Sequence, residues 1–194
     1  PLPEDEDERQ RLDVMFATQK GGIRRNKLSD FVQVNRNGKI AMKPDEGDGI
    51  VSVQICSEKD DVLLTTSNAQ CIRFRVEDVR VFTGRTSTGV RGIRLADNDE
   101  VISLAILRHV DVTSEEARAY LKHSSAMRRA TDDLPPDEVE AIVSESEDDS
   151  DMPDIALSPD RLVELGAAEE FILTLTNTGM GKRASAYDYR VTGR

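Results

Sequence analysis

Shifted by 48 residues, the stretch Asp13-Val14-Met15-Phe16-Ala17-Thr18 falls on Asp61-Val62-Leu63-Leu64-Thr65-Thr66, with Arg25 on Arg73, Lys27 on Arg75 and Asp30 on Asp78. After a three-residue insertion the match resumes at a shift of 51, which places Gly38 on Gly89, Lys43 on Arg94 and Asp48 on Asp99. A third start, Ile172-Leu173-Thr174-Leu175-Thr176, carries Arg183 and Asp188 where the second copy has Arg73 and Asp78. A period near fifty with strand-like segments inside it predicts a propeller-type array, in which each copy buries its apolar face only against its neighbours. The repeats divide the chain into a leader (1–11), repeat 1 (12–58), repeat 2 (59–110), an insertion (111–169) and part of a third repeat (170–194).

Within repeat 1, residues 14–18, 23–28, 39–43 and 50–56 read as short strands, rich in β-branched or alternating residues and separated by turn chemistry. Repeat 2 gives 62–66, 71–76, 90–95 and 101–107 in the same order. Gly21-Gly22 and Asn37-Gly38 supply positive-φ positions for tight hairpins, and Asp48-Gly49 breaks the chain before the fourth strand. Four antiparallel strands in about fifty residues match the size of a propeller blade. The expected fold is therefore all-β, with two complete four-stranded blades and part of a third. The chain opens on Pro1 and stops at Arg194 within the third repeat, so a piece of something longer is expected.

The insertion breaks the rhythm. Thr113-Ser114-Glu115-Glu116 is a capping-box signature, Pro135-Pro136-Asp137-Glu138 can open a second helix, and Ser158-Pro159 a third that ends at Gly166. Between them, residues 145–151 hold no apolar side chain to pack and read as a solvated run. The whole is read as a helical excursion from a blade-to-blade connection.

The net charge of −11 is unevenly spread. Residues 111–170 hold 18 acidic and 5 basic side chains, net −13, and residues 1–11 hold 5 acidic and 2 basic, net −3. Taking both away from −11 leaves +5 on the repeats, a mildly basic array beside acidic segments. Cations also recur at matched places: Arg24, Arg25 and Lys27, then Arg73 and Arg75, then Lys182 and Arg183, on the second strand of each copy. A further set, Arg36, Lys39 and Lys43 against Arg85, Arg91 and Arg94, lies on the third strand and the loop before it. Any one of them could simply solvate an edge strand. Recurrence predicts more, a stripe along one rim able to track a phosphate backbone without reading bases. With three Tyr, five Phe and no Trp, stacking of single strands is a poor fit, and duplex DNA is the better ligand.

Other chemistries find little support. Gly84 to Gly89 has the spacing of a phosphate-binding loop, but Val90 and Arg91 stand where Lys and Ser/Thr are required. His109 and His123 have no partner at ligand spacing, Cys56 and Cys71 form no C-x-x-C pair, and no nucleophile sits beside a base, so neither a metal site nor a catalytic centre is expected. Tyr120 and Tyr187 are read as packing residues. No apolar run reaches membrane-span length and the acidic opening is the reverse of a signal peptide, so a cytoplasmic location is expected.

Residues 12–18, Arg24 to Phe31, Thr88 to Leu95 and Gly179 to Arg183 closely resemble the C-terminal domain of the bacterial DNA gyrase A subunit, in order and at matching spacing. The resemblance implies a β-pinwheel, a propeller relative whose blades exchange strands, with duplex DNA wrapped on its basic rim. It also implies a parent assembly of two A and two B subunits that uses ATP and magnesium to introduce negative supercoils, the fragment itself being non-catalytic. The family's Gln-Arg-Arg-Gly-Gly-Lys-Gly box is absent, and the acidic insertion is atypical. The related domain of the topoisomerase IV A subunit also fits, although Thr88 to Ile93 favours gyrase. A propeller-like protein-interaction scaffold is the competing class. Residues 145–154 are further expected to mimic phosphate charge and restrain DNA binding.

Overall fold

The computed structural model describes residues 3, 5–32, 36–131 and 155–194. They form two compact units, Pro1–His109 with Arg190–Arg194, and Val110–Tyr189.

The first unit opens with helix α1 (Glu6–Arg11), whose N-cap Asp5 accepts a hydrogen bond from the Asp7 amide. Seven strands follow. Repeat 1 gives β1 (Asp13–Thr18), β2 (Gly22–Lys27) and β3 (Ile50–Cys56); repeat 2 gives β4 (Asp60–Thr66), β5 (Cys71–Arg75), β6 (Val90–Arg91) and β7 (Val101–Arg108). The repeats keep one register. Asp13 faces Lys27 and Cys56, while Asp61 faces Arg75 and Leu107, and each central strand slips near its end, at Ala17/Thr18 and at Thr65/Thr66. The β1–β2 turn places Gly21 at φ +83°, and the β4–β5 turn places Ala69 at φ +62° in the equivalent position.

Two expectations need correcting. The blades do not draw four strands from their own repeat but exchange them, as the resemblance implies: the first sheet runs β3-β1-β2-β6, so its fourth strand is lent by repeat 2. Gly22 pairs with Arg91 and Ile23 with Val90. The handover recurs as isolated parallel bridges, Arg25 to Val81 and Arg73 to Val191, each reaching one repeat forward. The second correction follows from the first. Residues 39–43 form no strand, because a third segment joins the preceding repeat's β2 and the described residues contain no preceding repeat. The second sheet, β5-β4-β7, accordingly has three strands among the described residues.

Strand β1 is buried along its whole length, as expected of a central strand covered on both faces. Met15 and Ala17 join Ile23, Cys56, Val62, Leu64, Phe74, Val101 and Leu104 in a core shared by both repeats. Val14 and Phe16 point the other way, onto Leu28 and Met42. Each fully buried side chain of this size contributes about 1.5–3 kcal/mol, and in the core shared by both repeats that gain depends on the neighbouring repeat being present.

In the second unit, α2 (Ser114–Thr131) starts at the expected capping box: the Glu116 carboxylate accepts from the Thr113 amide at 2.9 Å and the Thr113 hydroxyl accepts from the Glu116 amide at 3.1 Å. Helix α3 (Pro159–Ala168) is N-capped by Ser158 and runs two residues past Gly166. Strands β8 (Phe171–Leu175) and β9 (Gly181–Ser185) open the third repeat as a hairpin. Ala117 and Tyr120 of α2, Leu165 of α3 and Tyr187 after β9 share one apolar core, so the insertion's helices and the third repeat's opening pack as a single body. The Tyr120 and Tyr187 rings meet edge to face at 5.3 Å, and the Tyr187 hydroxyl donates to the Leu165 carbonyl. Packing is thus the role of both tyrosines. The helix expected near Pro135 and the acidic run 145–154 lie outside the described residues.

Candidate nucleic-acid interface

The cations singled out by recurrence separate into buried and exposed classes. Arg24, Arg25 and Arg73 are buried, at 0%, 2% and 4% exposure, so they are interior residues and not the phosphate contacts that recurrence predicts. Their guanidinium groups are committed inside the fold. Arg25 bonds Asp13 through Nε (2.7 Å) and Nη2 (2.6 Å), and Arg73 bonds Asp61 through Nε (2.9 Å) and Nη2 (2.8 Å). Both carboxylates are themselves 0% exposed, so each arginine answers a buried anion whose isolation would cost several kcal/mol. A third nitrogen completes each site: Lys27 Nζ pairs with Asp13 at 2.8 Å, and His109 Nδ1 lies 2.9 Å from Asp61. Arg24 donates from Nε to the Asn26 side-chain oxygen (2.7 Å) and from Nη1 to the Ser87 carbonyl, and lies 5.1 Å from the Phe82 ring centre. Burial pulls its pKa below the ordinary arginine value.

Two others are partly occupied at the surface. Lys27 faces Asp13, and Arg75 sits 2.6 Å from Glu77. Lys39 donates to the Asp30 carbonyl at 2.6 Å. Arg85 is half-buried.

Arg36, Lys43, Arg91 and Arg94 are exposed. Of these, Arg91 and Arg94 have a defined seat. The Gly92 and Ile93 amides both donate to the Gly21 carbonyl, at 2.8 and 3.4 Å, which fastens the segment carrying the two arginines to the β1–β2 turn. A side chain at Gly89 would stand 2.2 Å from the Ile23 carbonyl oxygen, and one at Gly92 would stand 2.6 Å from the Ile23 side chain. The glycines therefore permit this close approach, with Gly89 at φ +96°. Lys20, next to Gly21 on the same turn, is exposed as well, with Nζ on the Glu46 carbonyl at 2.9 Å. Recurrence missed it, since its counterparts are Asn68 and Thr178. Lys20, Arg91 and Arg94 thus converge on one turn from two repeats.

In the second unit, Lys182 and Arg183 are exposed on β9. Arg183 occupies the slot of Arg25 and Arg73, but Phe171 replaces the aspartate, and the guanidinium lies 3.6 Å from the centre of that ring.

A family model described as "DNA gyrase C-terminal domain, beta-propeller" matches residues 12–57, 60–108 and 170–194. The DNA gyrase A subunit of Granulibacter bethesdensis is 52% identical over the whole chain, which covers 21% of that relative. Its counterpart from Rickettsia bellii is 44% identical, again over the whole chain and 20% of the relative. The chain spans about a fifth of the length of these curated relatives. A solved structure of a DNA gyrase A C-terminal domain aligns with 50% of the chain and 32% of its own length, at 24% identity and a TM-score of 0.45. With the family match spread over three segments that make up more than half of the chain, and with 52% identity along its full length, the protein belongs to the DNA gyrase C-terminal domain family of β-propellers.

Proposed function

We propose that the chain is a non-catalytic module that binds duplex DNA without reading its sequence and bends it along the repeats, serving the supercoiling reaction of a gyrase. The observation that carries this reading is the convergence of exposed Lys20, Arg91 and Arg94 on the Gly21 turn. Three cations on backbone hydrogen-bonded to one turn suit a phosphate backbone rather than bases. Bending 20–30 bp by 40–90° costs about 1–6 kcal/mol, which several such contacts can offset. Arg36, Lys43, Lys182 and Arg183 are additional candidates. Names borne by relatives across five times this length support a parent that is a DNA gyrase; a B subunit as partner in an A2B2 assembly, ATP and magnesium as that assembly's requirements, and the cytoplasm as its place are proposed with it. Among the described residues no helix is long and apolar enough to cross a membrane.

Charge reversal of Lys20, Arg91 and Arg94 to glutamate tests the reading, with duplex affinity measured as a function of salt. Affinity should fall at least tenfold at low salt, and the log-log salt slope should shrink by roughly 0.9 for each cation lost. Unchanged affinity and slope would remove DNA from this surface and leave the protein-interaction scaffold.

A further inference from the structure

Three consecutive residues of β2 hold a long stretch of repeat 2. Asn26 Nδ2 donates to the carbonyls of Phe82 (2.7 Å) and Gly84 (3.2 Å). Arg25 Nη1 donates to those of Val76 and Val79, both at 3.2 Å, and Arg24 Nη1 reaches the Ser87 carbonyl and, at 3.3 Å, its hydroxyl. The Arg25 carbonyl accepts from the Phe82 amide at 2.8 Å. The segment then enters β6, which is only two residues long and too short to fix its own register.

Repeat 2 shows which part of this network the fold requires. Its β5 keeps the middle arginine, Arg73, whose carbonyl accepts from Thr192 at 2.7 Å. At the flanking positions it has Ile72 and Phe74, both packed in the apolar core. The forward bridge from Arg73 to Val191 therefore forms without an Arg24–Asn26 pair. What repeat 1 gains from the pair is a fixed path for 82–89, and that path delivers Arg91 and Arg94 to the Gly21 turn.

We infer that Arg24 and Asn26 are positioning residues for the DNA surface. They touch no DNA themselves; they hold the lent segment so that repeat 2 arginines stand beside Lys20 on the first blade. The DNA-facing patch is then composite, and its geometry is set from a neighbouring repeat's interior. This inference rests on the DNA reading given above.

The test is a double-mutant cycle in the full chain, with affinity for a short random-sequence duplex measured across a salt series. Asn26→Ala should weaken binding roughly tenfold and flatten the salt slope by about one to two counterions, and it should add nothing in an Arg91→Ala/Arg94→Ala background. Amide hydrogen exchange over 84–92 should quicken while the β1–β3 pairing stays protected. Should Asn26→Ala fail to fold, Gly89→Ala serves as a second perturbation, since its methyl would push the lent segment away from the Ile23 carbonyl; the same pattern is expected. Equal weakening by the first change with and without the two arginines, or an unaltered salt slope, overturns the positioning role while leaving the DNA reading intact. If the Arg91→Ala/Arg94→Ala chain itself binds like the parent, the DNA reading of this patch is what falls.

Discussion

Strands β2 and β5 fill the same slot in successive repeats, one reading Arg24-Arg25-Asn26 and the other Ile72-Arg73-Phe74. Only the middle residue does the same work in both. Arg25 and Arg73 each neutralise a buried aspartate on the neighbouring strand, whereas the flanking pair is a hydrogen-bond network in repeat 1 and core packing in repeat 2. Charge at a recurring position can therefore mark an internal anchor. Charge at a non-recurring one, such as Lys20, can stand on the exposed turn proposed for DNA.

The strongest way to break this comparison is to remove the shared anchor. Asp13→Ala and Asp61→Ala should each cost about 3–5 kcal/mol, because a buried arginine loses its buried carboxylate; thermal or denaturant unfolding of the full chain measures it. A loss in one repeat but not the other would end the claim of equivalence. The third nitrogens should differ. His109→Ala removes a partly buried hydrogen bond to a charged group and should cost about 1.5–3 kcal/mol, while Lys27→Ala, with that side chain 42% exposed, should cost about 0–1 kcal/mol. The smallest effect is chemical. Burial, then the neighbouring Asp13 carboxylate, push the Cys56 thiol up to about 12, so at pH 8 only about one molecule in ten thousand carries that thiolate. Cys71 is exposed and should be alkylated first, as peptide mapping would read out. Labelling of Cys56 in the native Asp13→Ala chain would show the anchor site opening locally.

Much of the architecture was legible because its signals are local. The repeat shift, the Gly21 turn and the Thr113–Glu116 capping box depend on residues a few positions apart. The lent strand was not legible from the pattern of repeat 1 or 2 alone: whether 90–91 pairs within its own repeat or with β2 of the previous one is decided by packing across about seventy residues. The expected strand at 39–43 failed for the same reason, since its pairing partner would belong to another repeat. The burial of Arg25 and Arg73 did leave a trace. Asp13 and Asp61 open otherwise apolar runs at the same shift of 48 as the arginines, and a matched acid and base on paired strands signals an ion pair before it signals a ligand. Lys20 left none, because nothing at Asn68 or Thr178 repeats it.

The strand lent across the first sheet puts the sequence repeat and the folded blade out of phase. A cut between 58 and 59 respects the pattern of residues yet strips the first sheet of its outer member and exposes the half of its core that repeat 2 covers. A joint placed after Arg91 would keep that sheet whole but part β7 from its partner β4 in the second. Any scheme that shortens, lengthens or shuffles such arrays has to reckon with strands that pair across each joint, whether it is placed by repeat or by blade.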